Sequence, residues 1–193
     1  MNTNENNEVR DRILATASEL FYRRGVRAVG VDLIVADAGV AKTSLYRHFR
    51  TKDDLIAAFL EREDELFWKE WDAATHAHAN DPHAELDALL AWIGPRVGRP
   101  SYRGCPQNNV AAEFPDGDHP ARKVATAHKR EMRRRLTAIA ERLGVSNPTE
   151  LGGQLAVLFN GAFISAPMFR EDEATDLLQR ASRALVAGST SPG

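Results

Sequence analysis

The sequence predicts an all-α protein of about nine helices. Apolar residues recur at three- and four-residue steps along nearly the whole chain, and no stretch shows the two-residue alternation of a strand. Helix punctuation falls between the apolar stripes, at Gly25, Gly39, Asn80-Asp81-Pro82 and Gly144. With 193 residues, 43% of them hydrophobic, the chain can bury one larger core or two small ones.

The elements follow in order. Val9, Ile13, Leu14, Ala17, Leu20 and Phe21 form one stripe of a first helix that Gly25 ends. Val31, Ile34, Val35 and Ala38 keep the i, i+3, i+4, i+7 pattern of a second, and Gly39 supplies a tight turn. A third runs from about Lys42 to Phe49, with Leu45 and Phe49 inward. Thr51 with Asp54 approximates a capping box for a fourth helix, which continues through Phe67, Trp68 and Trp71 toward His78. A fifth carries Leu86, Leu89, Leu90 and Ile93 and is expected to end near Gly94-Pro95. After the irregular segment Gly98 to Pro106 comes a short helix around Asn108–Phe114 and a loop from Pro115 to Pro120. A long helix follows, with Val124, His128, Met132, Leu136, Ile139 and Leu143 on one face. Two more, about Pro148–Phe169 and Asp172–Ala187, complete the pattern.

Several function classes are set aside on composition and spacing. No apolar run is long enough to span a bilayer and no signal-peptide core is present, so a cytoplasmic protein with no membrane partner is expected. The single cysteine, Cys105, makes no internal disulfide, which suits a reducing compartment. Cys105 with His119 or His128 lacks the local signature of a catalytic thiol, so no enzyme and no cofactor are expected. A redox-sensing thiol with Arg103 nearby is the stronger reactive reading, and a packed or pocket-lining residue is preferred to both. His76, His78 and His83 with Asp81 do not make a metal site, because residues two apart on a helix face different ways. The run Arg133-Arg134-Arg135, with Lys129 and Arg130, reads as the solvated face of the long helix.

The second and third helices carry the most specific chemistry. Two short helices about a glycine turn are the layout of a helix-turn-helix that sets its second helix in a DNA groove. Leu45 and Phe49 hold that helix down, leaving Lys42, Thr43, Ser44, Arg47 and His48 outward. Short hydroxyl side chains permit close approach, and Arg47 has the reach for a guanine edge. Tyr46 can offer its hydroxyl to a phosphate, and Lys52 brings a cation to the start of the next helix. Residues 23–52 hold seven basic against two acidic side chains, a local excess of five on a chain of net charge −2. Such a pole suits docking of one end onto phosphates rather than indiscriminate coating of nucleic acid.

Arg12-Ile13-Leu14-Ala15-Thr16-Ala17, Leu20-Phe21, Gly25, Ile34 to Ala36, Ala38-Gly39-Val40, Leu45-Tyr46, Phe49, Lys52 and Leu55 together resemble the N-terminal domain of TetR-family (tetracycline-repressor-type) regulators, over about the first quarter of the chain. The resemblance implies DNA contacts from Lys42, Thr43, Ser44, Tyr46, Arg47 and His48, with Lys52 on the backbone. Gly30 stands where the family usually has a phosphate-contacting Thr or Ser, so only its backbone N–H is expected at a phosphate. Ala41 stands where a serine commonly caps the recognition helix. Gly104-Cys105-Pro106 and the Asn-rich stretch after it resemble the C-terminal domain of a large subgroup of the family.

The expected division is a helix-turn-helix DNA-binding domain over residues 1–52 and a ligand-binding and dimerisation domain over 53–193. Between Leu151 and Phe169 the eighth helix is apolar nearly all round, and the ninth presents Leu177, Leu178, Ala181 and Leu185. Pairing these two with their copies predicts a homodimer, as the resemblance also implies. Trp68, Trp71, Trp92, Cys105, Asn109, Glu113, His128, Phe159, Asn160 and Phe163 are the expected lining of a pocket for a small-molecule effector. The resulting expectation is a repressor released from a palindromic double-stranded DNA operator by that effector.

Overall fold

The computed structural model describes residues 3–99, 101–165, 168 and 171–190. Among these there are nine α-helices and no strand: α1 (Thr3–Arg24), α2 (Val31–Ala38), α3 (Lys42–His48), α4 (Lys52–Thr75), α5 (Pro82–Val97), α6 (Pro106–Glu113), α7 (Pro120–Arg142), α8 (Pro148–Ser165) and α9 (Glu171–Thr190). A 3-10 turn, His76–His78, follows α4. No described helix is long and apolar enough to cross a membrane.

The chain forms two compact units, Met1–Glu65 with Pro106–Ala127, and Leu66–Cys105 with His128–Gly193. The expected division at residue 52 is a functional one, whereas the units follow packing. Val110 of α6 and Ala121 and Ala125 of α7 are buried in the same core as Ile13, Phe21, Ile34, Leu45, Leu55 and Phe59, so this stretch completes the first unit. The boundary consequently falls inside α4 and inside α7. The core of the second unit is built on Leu89, Leu90 and Ile93 of α5, Met132, Leu136 and Ile139 of α7, and Leu151, Leu155, Phe159 and Phe163 of α8.

Three sequence expectations change. Helix α5 does not stop at Gly94-Pro95 but runs on to Val97, with Pro95 inside it and exposed. Val97 is buried, and Gly98 donates its N–H to the Gly94 carbonyl at 3.2 Å, so the helix closes three residues later. Gly94 is there for packing: a Cβ on it would fall 1.8 Å from Thr175 Oγ1 of α9. The stripe read on α9 divides between two faces. Leu178, Ser182 and Val186 are buried, while Leu177 and Ala184 are exposed and Ala181 and Leu185 are half-buried. The basic run on α7 is only partly a solvated face, since Lys129 and Arg135 fold back onto the second unit. Of the eighth helix as read to Phe169, residues 166–167 and 169 lie outside the described residues.

Helices α7 and α8 approach closely at Gly152, where a Cβ would sit 2.6 Å from Thr137 Cα and 2.8 Å from its backbone nitrogen. Backbone cannot rotate away as a side chain can. Gly152→Ala should therefore destabilise the chain by about 1–3 kcal/mol, read as a lower midpoint in urea denaturation.

Candidate functional site

The α2–α3 pair is held by a left-handed glycine. Gly39 sits at φ 62, ψ 42, and the N–H groups of Gly39 and Val40 close back on Ala36 O at 3.2 Å and Val35 O at 3.0 Å. After this turn α3 is only seven residues long. Leu45 is fully buried and Phe49 nearly so, which fixes one side of α3 against α1 and α2. The opposite side is left to solvent: Lys42, Thr43, Tyr46 and Arg47 are exposed, while Ser44 and His48 are half-buried. The cap positions Gly30 and Ala41 are both extended and make no side-chain cap. Fixing α4 in register, Thr51 and Asp54 form the reciprocal capping box, Thr51 N–H to Asp54 Oδ2 and Asp54 N–H to Thr51 Oγ1, each at 3.0 Å.

Charge on this surface is locally arranged. Lys42 Nζ donates to Asp32 Oδ1 at 2.6 Å, and this bond raises the lysine above its ordinary range. His48 is held below the usual histidine range, first by burial and then by the Arg47 and Arg10 charges, which favours its neutral form near pH 7. Lys52 is half-buried; burial pushes it down, while Asp53 and Glu113 pull in the opposite direction. Two participants were not apparent in the sequence. Asp32 pins Lys42 from the preceding helix, and Arg10 of α1 lies 5.3 Å over the Phe49 ring. No sequence pattern marks either contact, because each joins residues on separate helices.

In the second unit the structure gathers Trp68, Trp71, Trp92, His128, Phe159 and Phe163 into one cluster. Its hub is Phe67, whose ring centroid lies 4.8 Å from His128, 5.0 Å from Trp68, 5.2 Å from Trp92 and 6.0 Å from Phe163. Phe67 was not singled out in the sequence, although its place four residues before Trp71 on one helical stripe was the available signal. Cations cover several of these rings: Arg135 lies 4.3 Å over Trp68, Arg96 5.4 Å over Trp92, and Lys129 5.8 Å over Phe163. Arg96 is paired with Glu70 and Arg135 with Asp72. Glu131 also joins this group, its carboxyl lowered to about 2 chiefly by Arg134 and further by Arg135. Lys129 meets buried Cys105 instead, Nζ to Sγ at 3.6 Å, and burial lowers its pKa. Lys129 thus brings a cation to the thiol, a contact that the sequence reading did not include. Asn160 turns its amide back onto its own helix, donating to Ala156 O at 2.7 Å. Asn109 and Glu113 are not part of this cluster; they lie in the first unit, where Glu113 accepts from the backbone of residues 26 and 27. Among the described residues no group of His, Cys, Asp and Glu is arranged to hold a metal.

A basic, outward-facing α3 seated by α1 and α2 in an all-helical chain defines a helix-turn-helix DNA-binding protein. Residues 13–59 match the family model for bacterial regulatory proteins of the tetR family. A putative TetR transcriptional regulator (sav143) from Streptomyces avermitilis is 30% identical, with 94% of this chain and 97% of that one covered at a TM-score of 0.82. SCO4454, a TetR-family transcriptional regulator from Streptomyces coelicolor, is 28% identical over 96% of this chain and 97% of that one, at a TM-score of 0.88. The chain belongs to the TetR family of transcriptional regulators. The transcriptional activator FasR of Mycolicibacterium smegmatis is 47% identical over 55 residues, 28% of this chain. The matched stretches span 25% of FasR and 59% of the next curated relative, so these two similarities cover only part of each relative.

The extended backbone at Ala41, φ −72 and ψ 146, suits a side-chain N-cap that alanine cannot supply. Ala41→Ser should stabilise the first unit by about 1 kcal/mol, seen as a higher denaturation midpoint with an unchanged slope.

Proposed function

We propose that this regulator is a homodimeric repressor that reads a palindromic DNA operator with α3 and is released from it by a small-molecule effector. The observation that carries the DNA-reading part is the division of α3 into a buried side, Leu45 with Phe49, and an exposed side with Lys42, Thr43, Tyr46 and Arg47. In this reading Arg47 addresses base edges, Thr43 and Ser44 allow close approach, and Tyr46, His48 and Lys52 engage phosphates together with the Gly30 N–H. Lys42 exchanges its bond with Asp32 for the nucleic acid. Selection of bound duplexes from a random pool tests the proposal; an enriched inverted repeat is expected, and recovery of unrelated sequences would sink it.

Dimerisation is supported by apolar surface that the second unit leaves uncovered. Val157 is 75% exposed and Ile164 67% exposed on α8. Val157 also lines an open groove of about 990 Å³ together with Ala156, Leu158, Ala181, Leu185, Lys129 and Arg133. Large exposed apolar surface of this kind marks an interaction site, and a two-fold partner would bring a second α3 to the other half of an inverted repeat. Residues 1–52 serve as the reading head, and residues 53–193 bind the effector and the partner. The aromatic cluster around Phe67 is the effector region of this reading, with Cys105 and Asn160 of the same unit as further members of the expected lining. Helix α4 runs unbroken from Lys52 to Thr75. An effector that favours a displaced α4 would shift the population toward a spacing of the two α3 helices that fits the operator less well.

Arg47→Ala should flatten base preference at one operator position, with a loss of about 1–3 kcal/mol there. Lys52→Ala should instead weaken binding to all sequences alike and reduce the salt slope by about one. Titrations of operator and scrambled duplexes across salt concentrations separate the two roles. For the dimer, Val157→Glu should convert the protein to a monomer in sedimentation velocity and depress operator affinity, with α-helical content preserved.

A further inference from the structure

Glu113, the last residue of α6, places its carboxylate on the turn that joins α1 to α2, 87 residues earlier in the chain. Oε1 accepts from the Val26 N–H at 3.2 Å, and Oε2 accepts from the Arg27 N–H at 3.0 Å. Neither N–H lies in a helix, because α1 has ended at Arg24 and α2 begins at Val31. The carboxylate thus satisfies two consecutive donors that the turn itself cannot. Gly25 makes this possible twice over. Its φ of +84 forms the turn, and a Cβ there would lie 3.1 Å from Glu113 Oε1.

The carboxylate is held in place from several directions within the same unit. Gln107 at the other end of α6 donates Nε2 to Leu60 O of α4 at 3.0 Å, and Val110 between them is buried. The Arg27 guanidinium lies 5.3 Å over the Phe114 ring, next to Glu113 in the chain. Phe114 in turn stacks on His119 at 3.9 Å, and His119 Nε2 is 3.5 Å from Asp53 Oδ1 at the start of α4. Electrostatics alone would argue against a carboxylate here. Its charge reaches Lys52, and any negative charge near a phosphate-binding surface weakens the binding of DNA in general. What the carboxylate supplies here is geometric, two hydrogen bonds to consecutive backbone donors.

We propose that Glu113 is a positioning residue for DNA reading: its carboxylate fixes the α1–α2 turn and with it the entry into α2 and the bearing of α3. The proposal rests on the DNA-reading role given above. Four residues after Val26 comes the Gly30 cap, which has no side chain to anchor it, so the start of α2 depends on the preceding turn. Helix α6 becomes a structural part of the reading head, and a displacement of α6 acts directly on the turn.

Glu113→Gln in the full-length chain is the discriminating variant. Glutamine keeps the size but offers one oxygen and an NH2 group, so one of the two backbone donors loses its acceptor. Operator Kd is expected to rise about tenfold, and exchange of at least one of the Val26 and Arg27 amides to quicken by a similar factor. Affinity for an unrelated duplex should hold or increase, because a negative charge has been removed. Glu61→Gln, an exposed charge on α4, serves as the control and should leave operator Kd and both amides unchanged. An operator Kd that stays level or falls in Glu113→Gln overturns the proposal, as does an amide exchange rate unaltered at both residues. A wild-type chain with no sequence preference would instead defeat the DNA-reading proposal, and the amide exchange would still decide whether Glu113 holds the turn.

Discussion

Everything the reading head does depends on burying two side chains of a helix that cannot stand alone. Helix α3 has seven residues and no side-chain cap, well below the dozen or so at which an isolated helix begins to persist in water. Its order comes from Leu45 and Phe49, which share a core with Ile13, Phe21, Ile34 and Leu55. Burial of each contributes about 1.5–3 kcal/mol, so the pair together outweighs the cap of about 1 kcal/mol that is missing. The four-residue spacing of these anchors also decides which side chains face outward. Stability and recognition are therefore written on opposite sides of the same two turns of helix.

The two units handle charge differently. On the head, cations are left near solvent, and Lys42 is held by a single carboxylate at an exposed position, where an ion pair is worth little and is readily exchanged for a phosphate. In the second unit the cations of Arg96, Arg135 and Lys129 lie over aromatic faces, half-buried and drawn inward. Arg96 and Arg135 keep carboxylate partners there, whereas Lys129 meets a thiol. A small molecule entering this region would encounter ring faces already occupied by the protein's own positive groups.

How much was legible depended on the range of the interaction. The capping box of Thr51 and Asp54, the glycine turn at Gly39 and the inward pair Leu45 and Phe49 are all set within a few residues, and the structure has them as read. The gathering of tryptophans was legible as a concentration of bulky groups, but its hub Phe67 was not, because a hub is defined by neighbours on other helices. Gly94-Pro95 reads locally as a helix end, yet the burial of Val97 and the fit of Gly94 against Thr175 carry the helix past it. Glu113 read as one polar group in a pocket, and its hydrogen bonds to residues 26 and 27 assign it elsewhere.

By itself the sequence determined the helical class, the order of the helices, the family and the outward face of α3. Each of these follows from periodicity, caps and turn residues that act over one or two turns of chain. Only the tertiary structure decided that α6 and the start of α7 complete the first unit, that α9 divides its stripe between a buried and an open side, and that Lys129 points at Cys105. Those outcomes depend on which helices share a core, and residues as far apart as Val26 and Glu113 meet only when the whole unit is packed.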